Sequence, residues 1–211
     1  MTTSELCELA SSHRFAANWY EQSAAEIADV CNRENWDNNR FAAILAVTSP
    51  RVSIRRNVRI TLHYMASGEL LRNVMRGIGQ SVRVWESTGQ ILGQKTSAFY
   101  AAIRGDSSAI VLDTHMANLL GVKQSAFANR KIRKQCESTI RRVAKRIGLA
   151  PAQTQAALWT GQLARVGRLP LPFPIRCEYY NWLAHNRQFD DSGVIRQFAD
   201  NLGYQTSLVF A

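Results

Sequence analysis

Residues 89–116 read GQILGQKTSAFYAAIRGDSSAIVLDTHM. A glycine-bounded turn at 89–93 leads into QKTSAFYAAI, a small-residue helix over Gln94–Ile103 that Gly105 closes. The apolar run AIVL at 109–112 is too short for much of a strand and reads as an extended approach to Asp113. Asp113 in turn N-caps a short helix running to Leu120. Lys95 is the only lysine of the first 122 residues, in a chain with 21 arginines and five lysines, and it stands near the start of the first helix.

Working outward, the same alternation of apolar helical spacing and polar breaks continues in both directions. Helices are expected over 15–31, 38–47, 51–66 and 69–85 upstream. Downstream, Ile132, Cys136, Ile140, Val143 and Ile147 fall on one arc of a helix over Arg130–Ile147, with Arg130, Lys134, Arg141 and Lys145 on another. Pro151 suits the first turn of a following helix whose buried side is marked by Ala152, Ala156, Trp159 and Leu163. LPLPFP from Leu169 breaks the pattern, and short helices are expected over 175–185 and 192–202. The fold class expected is all-α.

Nearly half of the 211 residues are hydrophobic and only five are proline, which describes a folded chain rather than a linker. Lys and Arg number 26 against 16 Asp and Glu, for a formal net charge of +10, and point to a polyanionic partner. Arginine dominates that excess, and its forked guanidinium suits phosphate and base edges. The opening MTTSELCELASSHRF lacks the basic-then-apolar order of a signal peptide, and the longest uncharged run, 147–164, is too polar for a membrane span. Cys7, Cys31, Cys136 and Cys177 are far apart and pair with no histidine spacing, so the simplest reading is free thiols in a reducing cytoplasm with no metal or other cofactor.

The segment ILGQKTSAFY, followed by an extended run into VLDTHM, resembles the hairpin and second helix of the helix–hairpin–helix DNA glycosylase superfamily. Gly93 matches the second hairpin glycine, Lys95 the lysine of lyase-active members and Asp113 the aspartate; Ile91 and Gln90 stand where the first glycine and a proline would be. FAAILAVTSPR at 41–51 is similar to the helix and turn whose residues enter the gap left by an extracted base, and PAQTQAALWTGQLA takes the place of the last helix over the base pocket. The clear part covers residues 41–120. The resemblance implies a single two-lobed helical domain over 1–211 with its helix–hairpin–helix at about 70–105. It further implies a monomer acting on double-stranded DNA, cytoplasmic or nucleoid-associated in a bacterial or phage-infected cell, with no membrane partner.

On that resemblance Lys95 and Asp113 are the catalytic pair, the lysine attacking a sugar carbon and the carboxylate stabilising charge on the sugar as the base leaves. Gly93, Gln94, Thr96, Ser49, Arg51, Arg55 and His115 become DNA contacts, and Trp36, Phe99 and Trp159 the base pocket. The plain readings stand beside these. An aspartate before THMANLL is an ordinary helix cap, a lysine after a glycine is ordinarily solvated, and aromatics at helical spacing are ordinarily core. Arg51 reads equally as a widowed-base contact or a solvent-facing first-turn residue. A silent helix–hairpin–helix module gripping the DNA backbone is the alternative function.

Overall fold

A computed structural model describes residues 1–168 and 175–186. Its α-helices are α1 (Thr3–Ser12), α2 (Trp19–Glu34), α3 (Asn38–Thr48), α4 (Ile54–Ser67), α5 (Arg76–Thr88), α6 (Gln94–Ile103), α7 (Thr114–Leu119), α8 (Arg130–Ile147), α9 (Pro151–Arg165) and α10 (Ile175–Asn186), with 3-10 turns at Arg14–Ala16 and Gln124–Ala128. No strand occurs among the described residues, so the chain is all-α. The proline-rich break at 169–174 and the helix expected over 192–202 lie outside the described residues.

The side chains bury into two apolar clusters. The first gathers α2 to α6 and α10 around Phe41, Ile44, Leu45, Val58, Leu62 and Ile175. The second gathers α1, α7 and α8 around Leu6, Met116, Ile140, Val143 and Leu158. Two elements belong to both. Helix α9 gives Ala152 and Ala156 to the first cluster and Ala157 and Leu158 to the second. The extended run 109–112 alternates in the same way: Ala109 and Val111 enter the first cluster, Ile110 and Leu112 the second. Side chains of an extended chain point to opposite sides at every step, so a run buried on both sides must be apolar throughout. This is why AIVL shows no polar alternation.

Buried polar contacts settle the turn between α3 and α4. The Thr48 hydroxyl donates to Asn57 Oδ1 at 2.7 Å, and Asn57 Nδ2 donates to the Leu45 carbonyl at 2.8 Å. These bonds tie the end of α3 to the first turns of α4, and the loop between them has one course to follow.

Several expected boundaries move. The helix expected from Arg51 begins at Ile54, because Ser53 caps it by accepting from the Arg56 amide, and Arg51 lies in the turn at φ 58°. The helix expected over 69–85 begins only at Arg76. Gly68 ends α4 in the left-handed conformation and Asn73 adopts φ 68°, so 69–75 reverses the chain, with Leu70 and Val74 packed on the first cluster. The helix expected from Phe15 starts at Trp19 and leaves Phe15 exposed. Helix α1 was not expected at all, although Thr2 and Glu5 form the reciprocal capping box that announces it.

Helix α1 lies close against α9 at Gly161, where a Cβ would stand 2.7 Å from Leu9 Cδ1 and 3.1 Å from His13 Nδ1. Gly161→Val is expected to lower stability by about 1–3 kcal/mol in urea unfolding, the usual cost of overpacking. Gly161→Ala should cost less, since the alanine regains about 1 kcal/mol of helix propensity while the Leu9 side chain turns aside.

Candidate active site

A cleft of about 850 Å³ opens at the junction of the two clusters. Its volume lies within the range of small-molecule sites. Trp19 and Tyr20 from α2, Phe99 from α6 and Trp159 from α9 give it aromatic walls, and the loop Ser49–Ser53 forms part of its rim. Lys95 and Asp113, eighteen residues apart in sequence, both line it.

Lys95 comes from the first turn of α6. Gly93 precedes that helix at φ 89° and ψ 138°, a conformation open essentially to glycine alone, which explains the residue type at the N-cap. The Lys95 ammonium lies 3.5 Å from the Ser49 carbonyl, its one hydrogen-bond contact among the described residues. Burial holds its pKa below the ordinary 10.5, while the Asp113 carboxylate pulls the opposite way. The balance favours a larger neutral fraction, the form in which an amine is a nucleophile.

Asp113 is both a helix cap and a cleft residue. Its Oδ1 accepts from the Met116 amide at 2.9 Å, and its Oδ2 accepts from the Trp159 indole N–H at 3.0 Å. The plain reading of Asp113 as an N-cap therefore holds, and the cap is what orients the carboxylate. His115, at the cleft wall, sets its ring perpendicular to Trp159 at 6.1 Å between centroids.

The remaining sequence-derived residues divide. Ser49, Arg51, Arg55, Phe99 and Trp159 line the cleft. Arg51 does so from a left-handed backbone, which a non-glycine residue holds only at some cost. Trp36 does not line the cleft: it stacks on Phe41 and meets Trp182 edge-on, in the first cluster. Thr96 is buried, and its hydroxyl is turned back onto the Leu92 and Gly93 carbonyls in the turn before α6. Gln94 is exposed and its amide oxygen accepts from Arg133 of α8, which also donates to the Phe127 carbonyl at 3.0 Å. On α4, Arg59 is engaged by the buried Glu178 carboxylate and Arg55 stands 3.7 Å from it. That ion pairing anchors α10 and leaves fewer guanidinium groups for an external phosphate than the charge count alone implies.

Sequence reasoning missed Trp19, Tyr20, Gln155 and Arg168 as cleft residues. Gln155 carried a readable signal, a long polar side chain in the middle of a helix whose other residues are mostly small or apolar. Lys95, Arg51, Arg55 and Arg168 line the cleft, and among the described residues Asp113 is its one carboxylate, so the cavity is electropositive. Among the described residues no group of three or more histidine, cysteine or acidic side chains could hold a metal, and no helix is long and apolar enough to cross a membrane.

The chain belongs to a family of unknown function, DUF7178, whose pattern spans residues 9–165. Among the described residues, that span includes every cleft residue except Arg168. No curated protein and no solved structure matches the chain.

With five lysines in the chain, the titration of Lys95 is separable by carbon-13 NMR of the reductively methylated protein, a Lys95→Met variant assigning the signal. Its midpoint is expected below 10.5, and lower still in Asp113→Asn, which removes the interaction that raises it. The unfolded chain then holds the Lys95 proton to higher pH than the folded chain. Stability therefore rises with pH between the lowered midpoint and 10.5, and Lys95→Met should lose that rise.

Proposed function

We propose that the protein is a DNA glycosylase that removes a damaged or modified base from duplex DNA and nicks the strand through an amine on Lys95. One observation carries this reading: Lys95 and Asp113 line the same electropositive, aromatic-walled cleft, with the amine desolvated and the carboxylate held by two N–H donors. The resemblance of the ILGQKTSAFY and VLDTHM segments to helix–hairpin–helix glycosylases is a second support, and the five-residue turn between α5 and α6 is of the length a hairpin needs. The superfamily's two-lobed arrangement is part of the proposal.

The chemistry follows from the groups present. The neutral Lys95 amine attacks C1′ of the sugar, the N-glycosidic bond breaks, and its electron pair leaves with the base, which takes up a proton. Asp113 stabilises the positive charge that grows on the sugar, where a carboxylate in a poorly solvated cleft acts more strongly than in water. Loss of the amine proton and opening of the sugar ring give an imine between Lys95 Nζ and C1′. Abstraction of a C2′ proton then expels the 3′ phosphate by β-elimination, and water hydrolyses the imine. Stacking against Trp19, Phe99 and Trp159 would offset the few kcal/mol that extrusion of a base costs. Arg51, Arg55 and the basic face of α8 supply phosphate contacts that fix position without reading sequence. Such an enzyme would act as a monomer where DNA lies, in the cytoplasm or on the nucleoid.

A silent module that grips the DNA backbone is the second reading, favoured by one observation: both Asp113 oxygens already accept a hydrogen bond within the chain. Borohydride trapping on a duplex with an abasic site separates the two. The wild type is expected to form a covalent adduct that Lys95→Ala abolishes, while salt-sensitive duplex binding survives the substitution. Asp113→Asn should still trap a preformed abasic site but release bases at least tenfold more slowly, the order of loss typical of removing one charge-stabilising group. Absence of any adduct together with absence of base release would leave the silent module.

A further inference from the structure

Gln155 is 2% exposed and lines the cleft from the middle of α9. Its amide oxygen accepts from the Tyr20 hydroxyl at 2.6 Å. Among the described residues its amide nitrogen meets no acceptor. The two ends of an amide look alike, and the choice between them is settled by Tyr20. Tyr20 is buried, and burial pushes its hydroxyl pKa well up, so it keeps its proton and must place it on an acceptor. Gln155 Oε1 is the acceptor it reaches. Turning the amide over would leave the Tyr20 hydroxyl hydrogen buried without a partner, which is costly in a poorly solvated site. Tyr20 therefore holds Gln155 with its N–H₂ group towards the cavity, as a donor and not an acceptor.

We infer that Gln155, locked by Tyr20, is the residue by which the cleft selects its base, and that it selects for a carbonyl on the base edge over an amino group at the same place. The inference rests on the base-excision reading for the identity of the ligand as a nucleobase. An amino group set against the Gln155 N–H₂ puts donor against donor and strands both in a poorly solvated site. A carbonyl there accepts a hydrogen bond instead. Sites built around a buried polar group discriminate strongly for this reason, since the wrong partner leaves the buried group unpaired. The aromatic walls accept any planar ring, so stacking supplies affinity and Gln155 supplies the choice.

The test is equilibrium binding at fixed salt concentration of two duplexes that differ in one nucleotide, uracil or cytosine, each opposite thymine. The nucleotide carries a 2′-fluorine so that the base is not released. The wild type should bind the uracil duplex about tenfold or more tightly than the cytosine duplex. Gln155→Glu keeps an acceptor for Tyr20 and puts a second acceptor towards the cleft, so the preference should reverse. Tyr20→Phe keeps the volume of the wall but frees the amide to turn, and the preference should fall towards unity. Equal affinities in the wild type, or a preference that neither variant moves, would overturn the inference. Trapping on an abasic duplex, which carries no base, reports on the base-excision reading separately. An adduct without discrimination overturns the Gln155 inference alone. Discrimination without an adduct or base release overturns the excision reading and leaves Gln155 as the reader of a binding module. Neither result overturns both.

Discussion

Four residues, Ala109 to Leu112, run in extended form between two apolar clusters and are buried on both sides. The geometry of the cleft depends on that confinement. The chain leaves the run at Asp113 with its direction already set, and the aspartate must begin α7 where the second cluster has room for Met116, Ala117 and Leu119. Because the side chains of the run are held alternately in both clusters, a shift of one residue would carry all four into the wrong core. The position of the carboxylate is in this sense a packing result, and its hydrogen bonds to Met116 and Trp159 refine the orientation afterwards.

Helix α9 closes the arrangement from the other side. Ten of its fifteen residues are buried, so small residues are needed where other helices approach and any polar side chain needs a partner. Gly161 meets the first need against α1, and Gln155 meets the second through Tyr20. Trp159 stands at the edge of the buried face, packed on the second cluster by its ring and bonded to Asp113 by its indole nitrogen. One helix thus lines the cleft with Gln155 and Trp159 and anchors Asp113.

The electrostatics follow from this packing. Lys95 is at the start of a helix, where the positive end of the backbone dipole already disfavours a second positive charge. Burial adds to that, and Asp113 opposes it without cancelling it. A different use of charge appears at α10, where the buried Glu178 takes up Arg59 and approaches Arg55. The first arrangement leaves an amine short of solvent and the second neutralises a carboxylate to hold a helix in place. Both are built from residues that look alike in a charge count.

The chain's helical character was legible from residue spacing, and most helix ends were too, since caps and apolar arcs are local: Asp37, Asp113 and Asn129 accept from backbone amides where a cap is needed. Lys95 and Asp113 were paired by the resemblance to helix–hairpin–helix glycosylases, where local pattern by itself gave only a lysine after a glycine and a helix cap. The partners of those residues were not legible. Trp159 and Asp113 are 46 residues apart, Tyr20 and Gln155 are 135 apart, and Arg59 and Glu178 are 119 apart. Such contacts leave no periodic trace in the chain, because which faces meet is set by the volumes of two cores rather than by neighbouring residues. For the same reason Trp36, which the resemblance put in the base pocket, went to the packing of the first cluster, while Trp19, Tyr20 and Gln155 came to the cleft.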